Sequence, residues 1–379
     1  MKKILRITTV PISLNILLKG QLKYMREQGY EVITASADGP EVQEVCDREG
    51  VKHYIINFTR ILSPLQDLRA LIQLIRLIRE ENPDIVHTHT PKAGLLGMLA
   101  ARICSVNCRM HTVAGMPLME ASGLTRRILR VTEKITYFCA QKVYPNSYRL
   151  KEYMETAFPS YQSKFKIIGE GSSNGINTDY FSTHEVSEGL IKKVQNDYKI
   201  PLNSTVFVFV GRLVEDKGIH DLVKAFKNIE ANSYLILVGA FEDEREAVNP
   251  EIKSEIENNC RIIHVGFQKD IRPFLAASDI FVFPSYREGF PNVVLQAASM
   301  GLPSIVSDIN GSNEIITHDE NGLIVPVKSA NELESAMVEL LTDLSKRKEL
   351  AAKARHSILD KYDQQKVWKA ILNEYQQCK

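Results

Sequence analysis

The 379-residue chain is 44% hydrophobic and 25% charged, long enough for two domains with substantial cores. A formal net charge of +1 excludes a global electrostatic argument for nucleic acid. The halves differ, however: residues 1–190 carry 24 basic and 19 acidic side chains and residues 191–379 carry 23 and 27, which makes the N-terminal half the host for an anionic or membrane-borne partner.

The opening Met1-Lys2-Lys3-Ile4-Leu5-Arg6-Ile7 sets an arginine where a signal peptide needs its apolar core, so it reads as a first strand. Further strand-like runs lie at 31–35, 53–56, 85–89 and 142–145, after a first one over 4–10. Helical patterns separate them. The pattern over 65–81 sets Leu68, Leu71, Ile72, Ile75 and Ile78 on one face and stops at Asn82-Pro83. No run reaches the roughly 18 apolar residues of a membrane span; the one over 94–101 is stopped by Arg102. A soluble or peripheral protein is expected. The six cysteines form no CxxC pair and no zinc-ligand pattern, which argues against a metal site or disulfide framework and for a reducing cytoplasm.

Around 170–204 the pattern dissolves into Gly171-Ser172-Ser173-Asn174-Gly175, a polar stretch and Pro201-Leu202-Asn203, read as an inter-domain linker. A second series of strands follows at 205–210, 234–238, 261–265, 280–284 and 303–307, then long helices. Strands alternating with helices indicate an α/β protein of parallel sheets covered by helices. In such sheets ligands sit outside the carboxyl ends of strands, so the informative residues are those just after strands.

Two post-strand segments stand out. In the first, Gly211-Arg212-Leu213 is followed by Lys217-Gly218; a guanidinium that forks two phosphate oxygens beside an ammonium suits a pyrophosphate, and solvated loop cations are an equal alternative. In the second, a strand ends at Pro284-Ser285 and delivers Glu288-Gly289-Phe290-Pro291-Asn292 into a helix, with Pro291 at its first position and Gly301 as its stop. Free N–H groups at such a helix start suit a phosphate. The plain alternative is an ordinary strand–loop–helix unit.

These segments, with Ser278-Asp279, Met300-Gly301-Leu302-Pro303-Ser304 and Asn321-Gly322-Leu323-Ile324-Val325 in the same order, resemble the retaining family-4 glycosyltransferases of the GT-B fold. The resemblance covers nearly the whole chain and is strongest over 205–330. It implies two Rossmann-like parallel-sheet domains facing a cleft. The first, over 1–180, binds acceptor and the second, over 200–360, binds donor, with a C-terminal helix over 361–379 crossing back. In that family two carboxylates eight positions apart open the donor helix, one facing the sugar and one holding the ribose. Here they correspond to Glu288 and Gln296; an amide still bonds a ribose hydroxyl but lacks the negative charge. By the same likeness Gly211, Arg212 and Lys217 meet the pyrophosphate, Gly289, Phe290, Pro291 and Asn292 line sugar and phosphate, and Gly266 and Phe267 lie beside the base.

In the N-terminal half, Arg109 to Pro117 follows an apolar run and places His111 in a glycine-containing loop. A lone histidine is more often structural; the resemblance implies a histidine that faces the donor sugar and acts with Glu288. His87-Thr88-His89-Thr90-Pro91-Lys92-Ala93-Gly94 resembles bacterial transferases that extend lipid-linked oligosaccharides. The two histidines lack a third ligand for a metal, and Lys92 with the Gly94 helix start is the candidate for an acceptor phosphate. The segment from Leu124 to Phe138 is basic and amphipathic, with Leu124, Ile128, Val131 and Ile135 at helical spacing and Arg126, Arg127 and Arg130 between them. Either it packs on the core with a solvated basic face, or it meets an anionic bilayer or a polyprenyl diphosphate acceptor.

The reading is a metal-independent, retaining transfer of a hexose or N-acetylhexosamine-type sugar from a UDP-sugar to a glycan, lipid-linked acceptor, as in capsule, O-antigen or other surface polysaccharide assembly. It places the protein in the cytoplasm, peripheral on the inner membrane face. A sugar-nucleotide epimerase or hydrolase, and a nucleotide-sugar-binding protein without transfer, are the alternatives.

Overall fold

The computed structural model describes all residues except 60, 62, 230, 231, 243–246 and 379. The chain forms two compact units, one of Met1–Gly175 with Gln365–Lys379, the other of Ile176–Gln364.

The N-terminal unit is built on strands β1 (Lys3–Ile7), β2 (Glu31–Ser36), β3 (Lys52–Ile55), β4 (Ile85–His89), β5 (Cys108–Val113) and β6 (Lys142–Pro145). They pair in parallel in the order β3-β2-β1-β4-β5-β6. Alternate residues of β1 enter two cores: Leu5 and Ile7 pack under the helices Pro64–Glu81, Pro91–Ile103 and Gly123–Cys139, whereas Ile4 packs with Leu14, Leu22 and the terminal helix Gln364–Gln376 through Ile371 and Tyr375. Helices on both faces explain why Ile4, Leu5 and Ile7 of β1 are all buried, with Arg6 buried among them. β4 buries more polar side chains: His87, Thr88 and His89 are all buried.

Several expectations are corrected here. His111 lies within β5, not in a loop; the Cys-Arg-Met-His-Thr-Val run is too mixed to announce a strand, and pairing with β4 and β6 makes it one. Helix Pro64–Glu81 buries Ala70, Leu74, Leu77 and Ile78, while Leu68 and Ile72 face solvent at 54% and 42% exposure. Its apolar residues nearly encircle it, so spacing alone fits two phases and only the sheet selects one. The sulfurs of Cys108 and Cys378 stand at bonding distance, 270 residues apart in sequence; no spacing rule reports a contact made by the returning C-terminus. The polar stretch read as a linker contains the helix Glu188–Asp197, whose Val194 enters the core of the second unit.

The second unit repeats the plan with β7 (Thr205–Val210), β8 (Ser233–Val238), β9 (Ile262–Gly266), β10 (Ile280–Phe283), β11 (Ser304–Ser307) and β12 (Gly322–Val325). Their parallel order is β12-β11-β10-β7-β8-β9. In both sheets the winding therefore reverses between the first and fourth strands, β1 and β4 in one, β7 and β10 in the other, and such a reversal opens a crevice at the carboxyl ends. β12, a four-residue strand, has no counterpart among the expected ones.

Within Gly123–Cys139, Glu133 is buried, and desolvation raises its pKa from 4.5 to about 7. The folded state therefore holds a proton that the unfolded chain releases: the contribution to stability is complete below 4.5 and is lost as pH rises to about 7. Glu133→Gln is expected to remove a pH-dependent loss on the order of 3 kcal/mol across that window. Denaturant midpoints measured against pH check this, and parallel slopes for both proteins reject it.

Candidate functional site

The reversal in the second unit brings the connection after β7 against the one after β10. Gly218 makes the approach possible: its φ is +70°, and a Cβ there would lie 2.0 Å from the Pro284 carbonyl oxygen. The loops are then tied to each other, Tyr286 N donating to Asp216 O at 2.8 Å and Ser285 Oγ to the same carbonyl at 3.2 Å. Arg287 pairs with the Asp216 carboxylate.

This arrangement puts the Lys217 ammonium on the Glu288 carboxylate, with only 14% and 19% of the side chains exposed. Ser285 Oγ lies 3.4 Å from Glu288 Oε1. From the loop after β11, Asn310 Nδ2 donates to Gly289 O at 2.6 Å and lies 3.3 Å from Glu288 O, which fixes the backbone that presents Glu288. The helix Asn292–Ser299 starts directly beyond, with Pro291 as its N-cap, φ −77°, rather than as its first residue, and no side-chain cap. Its first amides and its dipole are thus available to an anion. Asn292 and Gln296 lie one turn apart on that helix, both partly exposed. Gly301 takes φ +79° just past its end, the expected stop.

The other donor-side candidates take up distinct places. Gly211 follows β7 and donates its N–H to Val238 O at 2.9 Å. Arg212 is half exposed and pairs with Glu242 at 2.7 Å. The Gly266 carbonyl accepts from Gly239 N at 2.9 Å, which keeps the ends of β8 and β9 together, and Phe267 beyond it is 78% exposed. The Phe290 ring sits 5.4 Å from that of Tyr362.

In the N-terminal unit His111 is buried, its Nδ1 2.9 Å from Thr88 Oγ1. Burial lowers its pKa to about 4, so the imidazole is neutral at pH 7. With Nδ1 engaged by Thr88, Nε2 is the nitrogen left for a ligand. Gly94 packs on the ring: a Cβ there would lie 2.4 Å from Cε1. His87 is occupied on both nitrogens, Nδ1 with Tyr375 Oη at 2.7 Å and Nε2 with Thr112 Oγ1 at 2.8 Å. His89 Nε2 lies 2.8 Å from Arg6 Nη2. Lys92 bonds Asp67 at 2.7 Å and Thr59 Oγ1 at 3.0 Å and also the Ile61 carbonyl, so its charge is already met by its own chain. Arg126, Arg127 and Arg130 are exposed on Gly123–Cys139.

The sequence reading gives no role to Ser285, Asn310 or Thr88, and it takes Gly94 only as a helix start for an acceptor phosphate, not as the seat of His111. Asn310 was within reach, because the rule that singled out residues after β7 and β10 applies equally after β11. Thr88 and Gly94 carry no such signal; only the pairing of β4 with β5 and the seat of Pro91–Ile103 bring them to His111.

Comparison with known proteins finds relatives along the whole chain. Residues 17–180 match the family described as Glycosyltransferase Family 4 and residues 191–357 the one described as Glycosyl transferases group 1. A Staphylococcus aureus capsular polysaccharide biosynthesis glycosyltransferase, CapM, is 31% identical over 99% of this chain and 97% of its own. An Escherichia coli UDP-Gal:alpha-D-GlcNAc-diphosphoundecaprenol alpha-1,3-galactosyltransferase is 29% identical over 76% of this chain and 74% of its own. Among solved structures, a glycosyltransferase from Rickettsia africae has a TM-score of 0.84 over 100% of this chain and 98% of that one at 22% identity. Anabaena HepE in complex with UDP has a TM-score of 0.82 over 99% of this chain and 100% of that one at 20% identity.

Gly94→Ala is expected to displace the His111 ring and break its bond to Thr88. An NMR titration of the imidazole reads this directly: the bond to Thr88 raises the His111 pKa against its burial, so losing it moves the pKa further down from about 4, and an unmoved pKa refutes the packing.

Proposed function

The chain belongs to the family 4 glycosyltransferases and has their GT-B fold, and on that footing we propose that it moves a hexose or N-acetylhexosamine from a UDP-sugar, with retention, to a glycan carried on a polyprenyl diphosphate in surface polysaccharide assembly. The observation that carries the proposal is the Lys217–Glu288 pair beside an uncapped helix start. It sets a carboxylate and the cationic means to hold a diphosphate within one crevice. The described names of the relatives support the donor and acceptor classes: the E. coli protein takes a UDP-Gal donor and a diphosphoundecaprenol-linked acceptor, and a Campylobacter jejuni relative, 27% identical over 93% of this chain, acts on a diphospho-undecaprenol-linked sugar.

In this mechanism the departing nucleotide diphosphate is the charge to be neutralised. Lys217 and Arg212 contribute point charge and a fork of donors, and the amides opening Asn292–Ser299 contribute a helix dipole aimed at phosphate oxygens. Glu288 faces the anomeric region, where a carboxylate stabilises an oxocarbenium-like state, and Asn310 holds its backbone in place. The acceptor hydroxyl adds from the face the diphosphate leaves: its oxygen bonds the anomeric carbon as the bond from that carbon to the diphosphate breaks, and its proton passes to the departing diphosphate oxygen. Gln296 bonds the ribose through its amide. His111, neutral, offers Nε2 to a sugar hydroxyl and removes no proton. The polyprenyl diphosphate of the acceptor places the work at a membrane surface, on the cytoplasmic side where nucleotide sugars are made.

The decisive experiment follows nucleotide diphosphate release from a panel of nucleotide sugars, with and without lipid-linked acceptor. Glu288→Ala is expected to lower acceptor-dependent release by about 10²–10³-fold and Lys217→Ala to raise KM for the donor, with turnover persisting in a chelator. Donor binding without release across the acceptor panel refutes transfer, and release indifferent to acceptor and to Glu288 points to hydrolysis or epimerisation instead.

A further inference from the structure

The helix Gly123–Cys139 has two apolar stripes. One, with Tyr137 and Cys139, packs on the sheet beside buried Glu133 and Thr136. The other consists of Leu124, Ile128, Val131, Ile135 and Phe138, spaced by three or four residues and therefore on one line, and all five face solvent, Leu124 at 71% and Val131 at 56%. Arg126, Arg127, Arg130 and Lys134 flank this line and are exposed, while the helix's one acid, Glu133, is buried on the opposite side. The helix therefore turns an apolar, purely cationic face outward.

A second helix extends it. Pro64–Glu81 exposes Leu65, Leu68 and Ile72, with Arg69, Arg76 and Arg79 exposed on the same helix and Glu80 near its far end. Pro91–Ile103 packs between the two helices, and its Ile103 is exposed as well. At its end the Arg102 guanidinium lies 4.1 Å from the centre of the Phe138 ring, which holds a further cation at the edge of the stripe.

We infer that the outer faces of Gly123–Cys139 and Pro64–Glu81 together form a docking surface for an anionic lipid bilayer. Among the described residues no helix is long and apolar enough to cross a membrane. Helices of this composition lie in the interface, apolar side chains entering the acyl boundary and cations meeting headgroup phosphates. A second copy of the chain fits the same face poorly, because a twofold contact would set these arginines against their own equivalents. The inference deepens the proposed function and rests on it for its purpose, since a polyprenyl-carried acceptor is embedded in such a surface; its geometry stands independently.

The test is co-flotation of the full chain with vesicles of phosphatidylcholine alone or mixed with phosphatidylglycerol, at low and high salt and without substrates. Binding is expected to the mixed vesicles only, weaker at high salt. Arg126→Gln with Arg127→Gln should weaken it by about fivefold per cation removed. Ile128→Ser with Val131→Ser should abolish it at moderate salt while leaving the melting temperature and turnover of a water-soluble acceptor at wild-type values, because both side chains are exposed. Equal binding to both vesicle types, no binding to either, or apolar substitutions that alter only self-association in sedimentation each overturn the inference. Because vesicle binding is scored without substrates, its failure leaves the transfer reading standing, and failed turnover with intact vesicle binding overturns that reading alone.

Discussion

The reversal of winding between β7 and β10 is the constraint on which the Lys217–Glu288 pair depends. Two adjacent parallel strands whose connections leave in opposite directions keep a crevice open at their carboxyl ends. Here the two connections also touch, with Gly218 under the Pro284 carbonyl and Asp216 O receiving both Tyr286 N and Ser285 Oγ. That contact sets Lys217 beside Glu288. A side chain at Gly218 would push the loops apart and separate the pair, so the chemistry of the crevice rests on the absence of one Cβ.

The N-terminal unit solves a different problem. Arg6 is fully buried in the middle of its sheet, and desolvation lowers its pKa. Its hydrogen-bond partners are neutral: Tyr375 Oη at 2.7 Å, Gln21 Oε1 at 2.6 Å and His89 Nε2 at 2.8 Å. Burial, and after it the neighbouring Arg6 cation, keeps His87 and His89 well below the usual histidine range, so both rings act as neutral hydrogen-bonding groups. The cluster reaches from β1 across β4 to Thr112 on β5 and takes in the terminal helix through Tyr375. Glu374 on that helix receives Lys142 at 2.9 Å and Tyr144 Oη at 2.8 Å, and pairs also with Lys166. The last turn of the chain is thus held to the first sheet by polar bonds inside an apolar layer, where such bonds are costly to break.

The two units divide the electrostatic work in keeping with their composition. In the acidic C-terminal half Lys217 and Arg212 meet the carboxylates of Glu288 and Glu242, and the basic N-terminal half spreads exposed cations over an outer helical face. Charge alone does not identify a site: Lys92 lies in a segment resembling those of lipid-linked oligosaccharide transferases, and its ammonium is bonded by Asp67 and Thr59, just as Lys217 is paired with Glu288. Arg126 and Arg127, on an outward helix face, remain directed to solvent.

The sequence by itself determined the alternation of strands and helices, the post-strand positions of Arg212, Lys217 and Glu288, and the family, because these depend on short-range periodicity and on motif order along the chain. It did not determine which of two stripes on Pro64–Glu81 or Gly123–Cys139 is buried, since apolar residues on both sides fit either phase until a sheet covers one. Nor did it determine that Cys108 meets Cys378, that His111 sits inside a strand against Gly94, or that Asn310 holds the backbone at Glu288. Each is a contact between segments tens to hundreds of residues apart, made by strand order and chain return, and only the tertiary structure decides which distant side chains those bring together.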